Sequence, residues 1–213
     1  EKVMLGPERK SRILSDKEKK ITAYHEAGHA IVAHFLPQTD PVQKVSIIAR
    51  GQAGGYTLKL PLEDKHMYSK TEYVEEIAVL VAGHITEQEI FGEVTTGATS
   101  DLRRATGLAR KLITDFGMSE SLGPRTFGEK DEMIFLGREI HEQRDYSEKV
   151  AEQIDKEISN FIDKAAHQAK GLIKAKHEFL EKVVVELMAK ETLEKEEFEK
   201  IVGEKKKRSD FAV

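Results

Sequence analysis

Apolar positions along the chain change period several times, and each change predicts an element. Ile21, Tyr24, Gly28, Ile31, Val32 and Phe35 recur at three- and four-residue steps with no proline among them, which predicts a helix. Ser15 or Asp16 stands where its N-cap belongs. After Pro37 the period falls to two. Val45 and Ile47 share one face of a β-rich stretch, residues 42–49, and Tyr56, Leu58 and Leu60 alternate with Thr57 and Lys59. The glycine-rich residues 50–55 between them predict a β-hairpin with a loop longer than the tightest turns. No Lys-Ser or Lys-Thr follows these glycines and no helix opens, so they make a poor phosphate cradle.

Helical period returns at Ser69-Lys70-Thr71-Glu72, a capping box. This second helix runs through Ile77, Leu80, Val81, Ile85 and Ile90 to Phe91, with Gly92 as its stop. Gly83, His84, Glu87 and Glu89 are unusual companions for so apolar a run. A third helix carries Leu102, Ala105, Leu108, Ala109, Leu112, Ile113 and Phe116, capped by Thr99 or Ser100 and stopped by Gly117. Residues 117–145 read as irregular. From Tyr146 the texture is helical: one stripe from Val150 to Ala165, another from Phe179 to Leu187, and a short third of Leu193, Phe198 and Ile201. The first two divide near residues 174–178. The expected fold is mainly α-helical with a small antiparallel hairpin, closed by a C-terminal helical bundle over about residues 146–203.

Length and composition narrow the picture. The 213 residues suit one large domain or two small ones, and no solenoid repeat is present. Charged residues make up 34% and the net charge is −4, so no strongly basic surface asks for nucleic acid. No cysteine occurs, which excludes disulfides and thiolate ligands; any zinc must be held by histidine and carboxylate. No run approaches the roughly 18 apolar residues that span a bilayer, and no signal peptide is visible, so a soluble piece is expected. Residues 1–16, basic and broken by Gly6-Pro7, read as a connector, and residues 204–213 as a solvated polar tail. The start at Glu1 without a methionine suggests a segment of something longer.

The chemistry sits in His25-Glu26-Ala27-Gly28-His29. On a helix, side chains four apart share a face, so both imidazoles can aim a nitrogen at one point. Glu26 is rotated roughly 100° from His25, too far to be the natural third ligand but placed to reach a water near the metal. Two ligands and one general base are the mechanical content of H-E-x-x-H. By chance, three such fixed positions arise in roughly one chain in a hundred of this length, and the helix around them makes accident less attractive.

A catalytic zinc takes a third protein ligand and keeps one position for water. The metzincin pattern would need glycine at 32 and histidine at 35, where the chain has Val32 and Phe35. His34 is one position off the ligand face and is expected at the surface near the helix end. Two acids remain, Asp101 at the start of the third helix and Glu87 within the second. Spacing does not separate them: one can bind metal while the other accepts a hydrogen bond from a ligand imidazole.

The blocks Ala23-Tyr24-His25-Glu26-Ala27-Gly28-His29-Ala30-Ile31-Val32, Gly55-Tyr56-Thr57-Leu58, the run from Phe91 to Leu102, and Phe116-Gly117-Met118-Ser119 occur in that order and span nearly the whole chain. Together they resemble the peptidase domain of the FtsH family, membrane-anchored ATP-dependent AAA+ zinc proteases. Gly6-Pro7-Glu8-Arg9-Lys10-Ser11 resembles the junction leading out of that family's ATPase domain, which makes residues 1–16 a linker and 17–203 the peptidase domain. The resemblance implies one zinc per subunit on His25, His29 and Asp101, with Glu26 as base and Glu87 beside the site. It implies that Gly55, Tyr56, Thr57 and Leu58 form a strand flanking the substrate cleft. It further implies unfolded or membrane protein substrates, a homohexamer, an ATPase domain and transmembrane anchors elsewhere in the protein, and a place at the cytoplasmic face of the inner membrane. One departure stands out: Ala82 and His84 lie where the family usually has glycine and arginine. The competing class is a non-catalytic helical oligomerisation module with a structural metal site of four protein ligands. No Walker A pattern is present, so this piece has no ATP site of that kind.

Overall fold

A computed structural model describes residues 15–49, 54–61, 65–128 and 145–206. Helix α1 spans Asp16–Phe35, strand β1 Val42–Ser46, strand β2 Tyr56–Lys59, helix α2 Lys70–Phe91 and helix α3 Thr99–Thr114. Helix α4 (Glu148–Ala175), helix α5 (His177–Lys190), strand β3 (Thr192–Glu194) and helix α6 (Lys195–Val202) follow. The mainly helical fold with a small antiparallel sheet is the one expected. Most of the proposed linker, the hairpin connection at 50–53, the segment 129–144 and residues 207–213 lie outside the described residues.

Local chemistry sets the helix starts. Ser15 Oγ accepts from the Glu18 amide while Glu18 reaches back to the Ser15 amide, at 3.2 and 3.0 Å. Ser69 and Glu72 repeat the device at 3.3 and 2.8 Å. Such boxes satisfy two otherwise orphaned donors each. Gly92 ends α2 in the left-handed region at φ 67°, as its position suggested. The expected cap on α3 is not there. A 3-10 turn over Thr96–Ala98 runs straight into the helix, Thr95 accepts from the Gly97 amide, and Thr99 turns its hydroxyl back to the Thr96 carbonyl at 2.7 Å. With Ala98 already near-helical, no extended residue is left to act as an N-cap.

Helix α1 is the central rod. Every residue from Ala23 to His34 is buried, on all faces rather than along one stripe. It packs against α2, α4, α5 and the sheet. The sheet order is β2-β1-β3, both pairings antiparallel, with Val45 facing Thr57 on one side and Leu193 on the other. Strand β3 departs from the helical stripe that Leu193, Phe198 and Ile201 predict. Its three residues are a strand because they pair with Lys44–Ser46, an interaction local periodicity does not carry. Among the described residues, no helix is long and apolar enough to cross a membrane.

Two side chains correct the sequence reading. His34 is buried, not superficial, with its ring edge-on to Phe35 at 4.9 Å and Phe198 at 5.5 Å. Helix α6 supplies the covering ring, so the end of α1 is roofed by residues far along the chain. Lys205, placed in a solvated tail, folds back instead. Its Nζ donates to the carbonyls of Ala33, His34 and Leu36 at 2.6, 3.0 and 2.6 Å, and lies 3.1 Å from Thr39 Oγ1. A cation there satisfies the orphan carbonyls at the helix C-terminus and complements its dipole.

Burial, helped by the Lys205 charge, pushes the His34 imidazole down to about 4 from its ordinary 6.5. The unfolded chain therefore binds this proton first. The stability contributed by the neutral ring is complete above pH 6.5 and is lost as pH falls toward 4. Discounted for partial solvent screening, the loss is about 1–3 kcal/mol. In metal-free protein, the unfolding free energy from urea titrations should fall less between pH 7 and 4.5 for His34→Phe than for the parent, by that amount. Equal losses would remove His34 from the account.

Candidate metal centre

The one-turn spacing of His25 and His29 puts both rings on the face of α1 turned to α2. Helix α2 answers with a stripe at four-residue steps: Val79, Gly83 and Glu87. The His25 Nδ1 lies 2.6 Å from Glu87 Oε1, and the His29 Nδ1 lies 2.7 Å from the Val79 carbonyl oxygen. Each acceptor requires a proton on the facing Nδ1, so each Nε2 is left to point inward. Those two Nε2 atoms stand 3.1 Å apart, and Asp101 Oδ2 stands 3.6 Å from each.

Three donors of electron density thus converge within 4.8 Å. The arrangement demands positive charge between them. Burial disfavours an imidazolium at His25, yet the carboxylates of Asp101, Glu87 and Glu26 outweigh it and lift the ring to about 10. Burial likewise works against the Asp101 anion, but His25 and His29 hold its carboxyl well below the usual range. The donor atoms of a tetrahedral zinc with bonds of about 2.0–2.1 Å stand roughly 3.4 Å apart. Edges of 3.1, 3.6 and 3.6 Å straddle that value, so the residues present fit the ion.

The two acids left open by spacing take different places. Asp101, in the first turn of α3, approaches the Nε2 side. Glu87, only 1% exposed, approaches the Nδ1 side of His25 and accepts the Thr95 amide at 2.6 Å with its other oxygen. Its carboxyl is held below the ordinary range, since His25 and the Thr95 amide outweigh burial. Glu26, one position past His25, leaves the face of α1 that both rings share. It is buried, and burial pushes its carboxyl up. Thr57 donates to Glu26 Oε2 at 2.9 Å and lies 3.1 Å from the Glu26 carbonyl oxygen. Gly55, Tyr56, Thr57 and Leu58 lie on or just before β2, which has a neighbouring strand on one side only among the described residues.

Gly83 is a residue whose role spacing did not disclose. A Cβ there would fall 2.4 Å from His25 Cε1, 2.5 Å from His25 Nε2 and 2.6 Å from His29 Nε2. The available signal was a glycine inside an apolar helix, which marks close approach. Gly28 plays the reciprocal part on α1, where a Cβ would meet Thr86 Oγ1 at 2.1 Å. Ala82 and His84 flank Gly83, and neither belongs to the converging group.

A sequence model of Peptidase family M41 matches residues 12–201. The chain is similar to ATP-dependent zinc metalloprotease FtsH 1 of Sphaerobacter thermophilus, 50% identical over 208 residues, covering 98% of this chain and 32% of that protein. FtsH 1 of Thermomicrobium roseum is 51% identical over 211 residues, covering 99% of this chain and 32% of the relative. FtsH 1 of a Thermoanaerobacter species is 51% identical over 200 residues, covering 94% and 33%. The chain spans about a third of the length of these curated relatives.

Proposed function

The chain belongs to Peptidase family M41, and from that premise we propose that it is the zinc endopeptidase unit of an ATP-dependent protease. His25, His29 and Asp101 hold the zinc, one ion per subunit, and Glu26 is the general base. The observation that carries this reading is the convergence of two Nε2 atoms and one carboxylate oxygen within 4.8 Å, with the buried carboxyl of Glu26 next in sequence to His25. Zinc bound there supplies a Lewis acid that polarises the scissile carbonyl and brings water deprotonation toward neutral pH.

The chain's own residues do the rest. Glu26 takes a proton from the water that attacks the peptide carbonyl carbon. It then passes that proton to the amine nitrogen as the C–N bond breaks. Burial suits it to the task, because a carboxylate whose pKa is raised takes a proton from water more readily, and the protonated acid still gives it up to the more basic amine. Glu87 fixes the His25 tautomer and ring angle. The side of β2 away from β1 accepts an extended substrate as an added strand along residues 55–58, through backbone pairing that tolerates many side chains.

The relatives' names and the partial coverage support the wider assignment. Residues 17–203 form the peptidase domain, entered through residues 1–16 from an ATPase domain that delivers unfolded or membrane proteins. The subunits form a homohexamer with contacts through the C-terminal helices, anchored by transmembrane segments at the cytoplasmic face of the inner membrane. A non-catalytic module with a four-ligand structural site has less support, since only three ligand groups converge among the described residues.

Purified chain loaded with zinc should cleave an unfolded protein such as casein. Glu26→Gln should cut that rate by roughly 10²- to 10⁴-fold while zinc content stays at one per chain. Activity surviving the substitution would remove Glu26 as the base.

A further inference from the structure

The strand proposed to receive substrate also grips the general base. Successive side chains of a strand alternate faces, so positions 55 and 57 share one. At 57, the threonine hydroxyl lies between two oxygens of the same residue, 2.9 Å from Glu26 Oε2 and 3.1 Å from its backbone carbonyl oxygen. A hydroxyl has one proton, and the charged, nearer acceptor takes the stronger bond. At 55, the absence of a side chain lets the strand close on the stem: an added Cβ would lie 2.9 Å from Glu26 Cγ, 2.9 Å from Thr22 Cγ2 and 2.7 Å from the Ser46 carbonyl oxygen. Tip and stem of Glu26 are therefore approached by residues two apart, Thr57 on β2 and Gly55 just before it.

That strand is itself anchored. Thr57 faces Val45 in the register, and Val45 faces Leu193 of β3; both partners are fully buried. Threonine is stiff at χ1, so a fixed backbone fixes its hydroxyl. Glutamate has three side-chain torsions to freeze, and nothing on α1 itself bonds the Glu26 carboxylate among the described residues.

Resting on the reading of Glu26 as base, we propose that Thr57 is a positioning residue that aims the Glu26 carboxylate, with Gly55 providing the space. Substrate pairing and base alignment then share one strand, and ordering β2 by an added substrate strand tightens the base in the same movement.

The test uses the full chain loaded with zinc and a fluorogenic peptide, comparing Thr57→Val and Thr57→Ser alone and Thr57→Val in a Glu26→Gln background. Thr57→Val should lower kcat roughly 10- to 100-fold with KM within about twofold and zinc content unchanged. Thr57→Ser, which keeps the hydroxyl, should recover kcat to within about threefold. In the Glu26→Gln background, Thr57→Val should cost almost nothing more, because the group it aims is already gone. Relaxation of ¹³C-labelled Glu26 should show a rigid carboxyl group in the parent and Thr57→Ser, and a mobile one in Thr57→Val. A raised KM with kcat intact, an equal loss in both backgrounds, or an unchanged Glu26 relaxation would overturn the positioning role. If Glu26→Gln alone stayed active, the base assignment would fail; an inactive Glu26→Gln beside a fully active Thr57→Val sinks only the role given to Thr57.

Discussion

Replacing Gly83 with alanine is expected to empty the metal centre. The new methyl carbon would stand 2.4 to 2.6 Å from three ring atoms of His25 and His29, inside any real carbon contact. The rings have nowhere to retreat, because their Nδ1 atoms are tied to Glu87 and the Val79 carbonyl on the same helix that carries the intruding group. Relief requires α2 to back away, or the rings to break those bonds and lose their inward aim. Either response spoils two ligands at once, so zinc affinity should drop by about three orders of magnitude or more. Helix formation itself would not suffer, since alanine is the better helix former by about 1 kcal/mol. Circular dichroism should therefore report a folded protein while a competition titration against a zinc chelator reports almost no binding. Affinity within tenfold of the parent would show that the interhelical gap is softer than the geometry implies.

The second large effect separates the two acids. Asp101→Ala removes a group 3.6 Å from both Nε2 atoms and leaves two histidines, one ligand short of a catalytic zinc site. A zinc site's free energy of about 10–16 kcal/mol over four ligands is roughly 3 kcal/mol each, so affinity should fall by a few hundredfold. Glu87→Ala leaves all three converging atoms in place but frees the His25 ring and the Thr95 amide. That change should cost about tenfold in zinc affinity, and about 1–3 kcal/mol of fold stability for the donors left buried without an acceptor. At zinc concentrations that fill Glu87→Ala, Asp101→Ala should remain largely empty. Metal analysis giving the opposite order would transfer the third position to Glu87.

What the sequence disclosed and what it withheld divide along physical lines. The helix bearing both histidines, the boxes at Ser15–Glu18 and Ser69–Glu72, and the stop at Gly92 are local, set by neighbours within a turn or two. The break between the two long C-terminal helices falls at Lys176, inside the window that pattern alone had marked. Apart from the missing cap on α3, the misses are non-local. Thr192–Glu194 is a strand only because β1 lies beside it, and His34 is buried only because Phe198 arrives over it. Asp101 and Glu87 were both visible as acids near a metal motif. Which side of the His25 ring each approaches depends on how α2 and α3 lie against α1, information that residue spacing does not contain. Gly83 and Thr57 belong to the same category, since one matters for what it lacks and the other for where a hydroxyl lands across the chain.

The late arrival of β3 and Lys205 has a consequence for biosynthesis. By the time Asp101 leaves the ribosome, every group around the metal has been made. The far edge of the sheet and the ammonium that closes α1 are still to come, 172 residues beyond Ala33 in the latter case. Contacts so distant in sequence form slowly and only once their partners exist. The nascent polypeptide therefore carries the proposed ligands and base without the scaffold that aligns them, and competence is expected only after the C-terminal helices have closed over α1. On the proposed reading of the site, the order in which the chain's parts are delivered delays the alignment of its ligands and base until synthesis is nearly done.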